Sequence, residues 1–141
     1  MATAAIDFGR KRLGVAVTDD RDVNAYPGVL IERRSMKADL EALRAYLTER
    51  DIRHVVVGLP LNMDGSEGPM ARSARAFAER LAAATGIPVE LYDERLSSFE
   101  ARERLREATS SRWTRRGVVD VMAAVVILEG WLQRRAGRLG P

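Results

Sequence analysis

A long apolar run that carries a single carboxylate constrains the fold of this chain more than any other feature. Every residue from Val118 to Leu128 is apolar except Asp120. Such a run predicts a helix that is covered on several sides, and we expect it to end near Arg135. Burying a carboxylate is costly unless a cation or a hydrogen-bond donor pairs with it. The sequence therefore predicts that Asp120 faces a specific partner.

The first part of the chain predicts three strands in an antiparallel meander. Two apolar runs, at residues 3–8 and 13–18, are separated by a basic turn that contains glycine. A third run, at 28–34, follows the turn signal Pro27-Gly28. Because loops this short join antiparallel neighbours, we expect these three strands to lie side by side.

The rest of the chain predicts alternating helices and strands. Apolar residues at helical spacing predict helices at about 36–50 and 69–84, and a capping box predicts another from 97 to about 108. Apolar runs at 54–58 and 88–94 predict two further strands. The first of these runs is rich in β-branched residues, which is typical of a strand buried on both faces.

This order of elements predicts the fold class. Three antiparallel strands followed by βαβ crossovers give an α/β protein, with a five-stranded mixed sheet and helices on both faces. A length of 141 residues suits one domain, so we expect residues 1–141 to fold as a single unit. Ligands of such sheets gather outside the carboxyl ends of the parallel strands.

The composition limits the chemistry that the side chains can supply. The chain has no cysteine and one histidine, His54, which excludes disulfides, cysteine metal sites and histidine clusters. The N-terminus has no signal-peptide pattern, and no apolar run reaches the ~18 residues that suggest a membrane span. We therefore expect a cytoplasmic protein without a membrane partner.

Two more acidic residues resemble Asp120 in occupying unfavourable positions. Asp7 lies within the first predicted strand, and Glu94, beside Asp93, ends the last one. Strands disfavour Asp, and buried unpaired acids are rare. If the acids converge at one edge of the sheet, they raise one another's pKa unless a cation lies among them. A cluster of oxygen ligands suits Mg²⁺ or Mn²⁺.

Each acid also has an ordinary structural explanation. Asp7 could cap the turn that follows it, and Asp120 could be a first-turn acid favoured by the helix dipole. Asp93 and Glu94 could pair with Arg95, and the sequence pattern does not choose between these two acids. The metal hypothesis therefore depends on the acids meeting in space.

Four segments, in order and over nearly the whole chain, resemble the blocks of the YqgF/RuvX family. The segments are AIDFGRKRLGVAVTD, VVVGLPLNMDGSEGPMA, YDERLSS and VVDVMAAVVILEGWL. The members of this family are the pre-16S ribosomal RNA nucleases, also called Holliday-junction-resolvase-like proteins. The resemblance implies an RNase H-like fold. It also implies that Asp7, Glu94 and Asp120 are the catalytic residues and metal ligands, which selects Glu94 over Asp93. Resolvases often carry a further acid where this chain has Ala123, so one-metal and two-metal chemistry both stay open.

The resemblance also implies a function. The expected activity is metal-dependent hydrolysis of phosphodiester bonds in the maturation of the 5′ end of pre-16S ribosomal RNA. The expected partners are nucleic acid, with RNA favoured over DNA, and ribosomal precursor particles, bound by a monomer or a homodimer.

Other functions fit parts of the sequence. A Holliday junction resolvase would cut four-way DNA junctions, and symmetric cutting of two strands requires a two-fold dimer. A non-catalytic RNA-binding module is a further alternative, although the three acids would weaken its binding to phosphates. The start AIDFG also resembles the phosphate loop of actin-like kinases and ATPases, which normally need a second such domain.

Basic and polar side chains near the acids are candidates for binding the phosphate backbone. Arginine accounts for 21 of the 23 basic residues and binds phosphate bidentately, although a GC-rich genome gives the same bias. Arginines flank Trp113 with no acid nearby, a pattern that can neutralise phosphates and stack a base, or simply pack under a surface loop. The predicted nucleic-acid-binding residues are Lys11, Arg12, Asn62, Arg72, Arg95, Arg112, Trp113, Arg115 and Arg116.

Overall fold

The fold is built on one mixed sheet of five strands. A computed structural model describes residues 2–96, 107 and 118–139. The strands are β1 (Ala2–Phe8), β2 (Arg12–Thr18), β3 (Ala25–Glu32), β4 (Ile52–Leu59) and β5 (Val89–Asp93). Their order is β3-β2-β1-β4-β5; β2 is antiparallel to both of its neighbours, and β4 is parallel to both of its own. The predicted five-stranded mixed sheet is confirmed.

Three helices accompany the sheet in the described part of the chain: α1 (Met36–Glu49), α2 (Pro69–Thr85) and α3 (Val118–Leu139). Helix α1 begins where the side chain of Ser35 accepts a hydrogen bond from the backbone N–H of Ala38. Helix α2 ends at Gly86, which adopts a left-handed conformation (φ 73°) that glycine tolerates best. The helix predicted at 97–108 lies outside the described residues, apart from residue 107, which is helical.

The third strand corrects one prediction, because Pro27-Gly28 is not a turn. Strand β3 runs straight through both residues. It is an edge strand, the position in a sheet where proline is tolerated. Gly28 lies at a register shift, between the partners of Val15 and Ala16, and a Cβ there would lie 2.8 Å from the carbonyl oxygen of Val15. The glycine allows the bulge that lets the strand continue.

The helices cover both faces of the sheet. On one face, α1 and α2 contribute Leu43, Leu47, Phe77 and Leu81 to a core that includes Ile6 and Phe8 of β1. On the other face, α3 packs on small strand residues such as Ala5 and Ala16. Since alternate strand residues face opposite sides, Asp7, between Ile6 and Phe8, lies on the α3 face.

Helix α3 differs from its prediction in length. It continues to Leu139, beyond the expected end near Arg135. Residues 124–128 are all buried, so the middle of the helix is covered around more than one full turn, as expected. Residues 133–137 are exposed. Among the described helices, none is both long enough and apolar enough to cross a membrane.

Candidate active site

Three acids from distant parts of the chain meet at one edge of the sheet. Asp7 lies near the carboxyl end of β1, and Asp120 lies in the first turn of α3. Glu94 does not end β5 as predicted; it is the first residue of the short 3₁₀ turn that follows this strand. The carboxyl ends of β1, β4 and β5 meet at this edge because the three strands are parallel.

Two glycines beside Asp7 make room for the other two acids. Gly14 of β2 is the direct partner of Asp7, and a Cβ on it would overlap the backbone carbonyl oxygen of Asp120. On the other side lies Gly58 of β4, where a Cβ would lie 3.2 Å from the carboxyl carbon of Glu94. The lack of side chains at these positions lets α3 and Glu94 approach the sheet on either side of Asp7.

Burial and the charges of neighbouring acids raise the pKa values of two of these carboxyl groups. Burial is the largest cause of the rise in the pKa of Asp7 from 3.8 to about 7, followed by the charges of Glu94 and Asp120. Burial likewise raises the pKa of Glu94, with a smaller contribution from the charge of Asp93. The site therefore resists full deprotonation until a positive charge enters it.

The neighbouring acids differ in whether an arginine neutralises them. The Nε of Arg12 donates a hydrogen bond to Oδ2 of Asp120 at 3.0 Å. Arg95 binds Asp93, with a shortest distance of 2.7 Å between Nη2 and Oδ2. Its Nη1 donates a hydrogen bond to the carbonyl oxygen of Met63, in the loop between β4 and α2. Among the described residues, neither Asp7 nor Glu94 forms an ion pair. Asp93 is thus a structural acid, while Glu94 stays available.

The donor chemistry of the site fits a hard divalent cation. All three groups are carboxylates, and a cation would offset both the burial of Asp7 and the charges of Glu94 and Asp120, which together raise its pKa. Within the described ranges, however, no group of three acidic or histidine side chains is placed to hold a metal ion directly. Arg12 occupies Oδ2 of Asp120. Coordination by all three acids therefore requires their side chains to rearrange, and Arg12 restrains the side chain of Asp120.

The loop between β4 and α2 is organised by its own hydrogen bonds. The side chain of Asn62 donates to Oγ of Ser66 at 2.9 Å, and Arg72 donates to the carbonyl oxygen of Glu67 at 3.0 Å. A cavity of about 270 Å³ joins this loop to the site, lined by Pro60, Leu61, Met63, Glu94, Arg95, Ala123, Val126 and Ile127. Asn62 and Arg72 therefore help to order a loop that borders Glu94.

The other predicted nucleic-acid-binding residues divide into two groups. Lys11 is exposed on the turn between β1 and β2, next to Arg12. Arg112, Trp113, Arg115 and Arg116 lie outside the described residues. Gly14 was not predicted, and its only signal in the sequence is a glycine inside a mostly apolar strand. The pairing of Arg12 with Asp120 was not predicted either, because no spacing between such distant residues could reveal it.

Comparison with known proteins identifies close relatives over almost the whole chain. The family model described as RuvX, Holliday junction resolvase, matches residues 1–134. A protein of Anaeromyxobacter sp. named "Putative pre-16S rRNA nuclease" is 55% identical over 135 residues, which are 96% of this chain and 98% of the relative. A protein of the same name from Myxococcus xanthus is 51% identical over 132 residues, which are 94% of this chain and 87% of the relative.

A solved structure supports the architecture. Thermus thermophilus RuvC in complex with a Holliday junction substrate aligns with a TM-score of 0.69 and 16% sequence identity. The alignment covers 97% of this chain and 96% of the RuvC chain. Likeness at this identity establishes the fold, and it confirms the expected RNase H-like architecture.

Proposed function

The chain belongs to the RuvX family, and we propose that it is a metal-dependent nuclease that hydrolyses phosphodiester bonds. The proposed substrate is the precursor of 16S ribosomal RNA, cut in the maturation of its 5′ end, because relatives at 51–55% identity carry that name. This activity would take place in the cytoplasm, with precursor particles as partners. We further propose that residues 1–141 form one nuclease domain with Asp7, Glu94 and Asp120 as its catalytic residues.

The observation that carries this proposal is the cluster of acids at the carboxyl edge of the sheet. Two of the three, Asp7 and Glu94, are mostly buried without an arginine partner in the described part of the chain. Structural acids of the same protein do not resemble them. Asp39, for example, is 2% exposed and accepts hydrogen bonds from Nε of Arg33 and the backbone N–H of Arg34.

Mg²⁺ or Mn²⁺ would be held by Asp7, Glu94 and Asp120, and would supply an activated water and stabilise the charge on the leaving oxygen. The chain's own residues fix the geometry. The middle of a sheet holds Asp7, a short turn holds Glu94 and the first turn of a helix holds Asp120. All three carboxyl groups must be deprotonated to act as ligands, so a pKa of about 7 at Asp7 ties metal binding to pH.

Basic side chains would bind the substrate backbone around the acids. Lys11 and Arg12 lie on the turn and the strand start that follow Asp7, where they can contact a phosphate that enters the site. Arg72 lies in the first turn of the helix that follows the bordering loop, and Arg95 fixes that loop through the carbonyl oxygen of Met63. The role of Trp113 and the arginines around it stays a prediction.

The test is cleavage of a ribosomal RNA precursor in Mg²⁺ or Mn²⁺, mapped at nucleotide resolution. We expect cutting at the 5′ end of the 16S sequence by the natural chain and none by Asp120→Asn. Binding of the precursor without cutting, under both metals, would contradict the proposal and favour a non-catalytic RNA-binding module.

The family description favours a second candidate, a resolvase for four-way DNA junctions. A synthetic four-way junction should therefore be incubated in parallel with the ribosomal precursor, under the same metal conditions and with the same Asp120→Asn control. Symmetric nicks in the junction, together with a two-fold dimer in solution, would support the resolvase. Cutting of the RNA precursor alone would exclude it.

A further inference from the structure

We propose that Arg12 is a positioning residue that holds Asp120 away from the metal site until a phosphate of the nucleic acid takes its guanidinium. Release of Asp120 then completes the set of three carboxylates. Metal binding and nucleic-acid binding would thus strengthen each other through one side chain. This inference rests on the proposed function, since it concerns the same three acids.

The contact that supports this inference joins two elements far apart in sequence. Arg12 is the first residue of β2 and Asp120 lies in the first turn of α3, yet Nε and Oδ2 are 3.0 Å apart. The backbone of Arg12 is fixed independently, because its carbonyl oxygen accepts a hydrogen bond from the N–H of Gly9 at 3.1 Å. The side chain can therefore change partner without unfolding the strand.

The pair is also reachable from solvent. The side chains of Arg12 and Asp120 are 20% and 26% exposed, so neither is sealed into the core. A phosphate can bind a guanidinium through two oxygens, and this charge-assisted geometry competes well with a single contact to Nε. An incoming strand therefore offers Arg12 a partner at least as good as Asp120.

The electrostatics of the site explain why the exchange matters. Arg12 neutralises Asp120, whereas neither Asp7 nor Glu94 has an ion pair in the described part of the chain. While Arg12 holds Asp120, a cation finds one fewer free carboxylate oxygen and a positive charge near the site. Removing the guanidinium from Asp120 removes both obstacles. Because binding linkage is reciprocal, the metal must in turn strengthen nucleic-acid binding by the same factor.

The experiment measures Mn²⁺ affinity by calorimetry, with no substrate turnover involved. The variants are Arg12→Gln, Arg12→Lys and the control Arg10→Gln, which removes an exposed positive charge from the same turn; Arg10 has no ion pair among the described residues. Each protein is titrated alone and with an RNA oligonucleotide whose phosphorothioate linkages resist cleavage. Circular dichroism checks that each variant is folded.

We expect the natural protein to bind Mn²⁺ on the order of tenfold more tightly when the RNA is present. In Arg12→Gln the affinity without RNA should already be raised by a similar factor, and RNA should add little. Arg12→Lys should lie between these two proteins, and Arg10→Gln should behave like the natural chain.

Other outcomes would overturn the inference. Equal Mn²⁺ affinity in the natural chain and Arg12→Gln, or the same gain in Arg10→Gln, would show that the pairing does not control metal binding. If Arg12→Gln fails to fold, an Mn²⁺ affinity of the natural protein that RNA does not change is sufficient to reject it. Absence of Mn²⁺ binding under every condition would instead contradict the proposed function itself.

Discussion

Two glutamates near the ends of β5 have opposite surroundings. At one end, Oε1 of Glu90 lies 2.7 Å from Nε2 of His54 and accepts a hydrogen bond from Nε1 of Trp131 at 2.9 Å. At the other end, Glu94 has no ion pair within the described residues and lies near Asp7. At the amino end of β5 an acid joins neighbouring elements, whereas at the carboxyl edge two of the clustered acids, Asp7 and Glu94, have no ion pair within the described residues.

This difference separates structural acids from functional ones. Hydrogen bonds from His54 and Trp131 join β4 and α3 to the edge strand, so Glu90 contributes to stability. Asp7 and Glu94 at the carboxyl edge oppose folding in their charged forms, since burial and the charges of neighbouring acids raise their pKa values. A protein that keeps such a cluster needs a positively charged ligand there to offset it. The predictions below test the contrast between structural and functional acids.

The largest expected effect is the loss of cleavage in Asp7→Asn. The amide removes the central ligand, and even the outer-shell partners of metal sites account for about 10–100-fold in affinity or activity. We therefore expect a fall of more than about 100-fold in the rate of cleavage at saturating metal. The matched control is Glu90→Gln, near the amino end of β5, and this variant should cleave like the natural chain. Comparable losses of cleavage in both variants would contradict the distinction between the functional acid Asp7 and the structural acid Glu90.

The pH dependence of stability should also identify Asp7. Its pKa rises from 3.8 to about 7 on folding, so between these values the folded chain keeps a proton that the unfolded chain has lost. The free energy of unfolding of the metal-free protein therefore falls as pH rises from about 4 to 7. Asp7→Asn should abolish this contribution and stabilise the metal-free protein at pH 8, by a few kcal/mol at most, on the scale of ~1.4 kcal/mol per pKa unit.

Urea denaturation of both proteins in the presence of a chelator measures this effect. The difference between their free energies of unfolding should grow across the interval from pH 4 to 7 and stay constant above it. A difference that does not change with pH would mean that Asp7 titrates normally in the folded chain.

A smaller loss of stability is expected in Gly14→Ala. The new methyl group would overlap the backbone of Asp120, so α3 must move away from the sheet. Overpacking of this kind costs about 1–3 kcal/mol, and the shift should also reduce cleavage. Gly137→Ala is the matched control, because nothing lies within 4 Å of its Cβ position and alanine favours the helix. Thermal denaturation that ranks the two variants equally would contradict this account of Gly14.

The smallest effect on stability is expected in Glu90→Gln, near the amino end of β5. The glutamine retains an acceptor oxygen for Trp131 but loses the negative charge, which should reduce stability by about 1 kcal/mol. Thermal denaturation measures this loss, and the cleavage assay provides the comparison with the carboxyl edge. A large loss of cleavage with unchanged stability would assign Glu90 to the active site.

The sequence predicts the sheet well because its signals are local and periodic. The β-branched run of β4 and the spacing of Met70, Ala74, Phe77 and Leu81 each match the element that forms. The interpretation of Pro27-Gly28 is wrong because a turn signal does not reveal that the strand lies at an edge, where proline is tolerated.

The site depends on contacts that no local pattern contains. Carboxylates in unfavourable positions point to Asp7 and Asp120, but the choice between Asp93 and Glu94 required the family resemblance. In the structure Arg95 binds Asp93, which is a physical reason for the same choice. The pairing of Arg12 with Asp120 and the clearance at Gly14 emerge only when distant segments pack together.

The most direct test of the central claim is a crystal of the protein soaked in Mn²⁺ and measured for anomalous scattering. The account predicts an anomalous peak in contact with the carboxylate oxygens of Asp7 and Glu94, with Asp120 turned toward it. A well-ordered carboxyl edge without such a peak, at Mn²⁺ concentrations that support cleavage, would contradict the claim that these acids bind the metal.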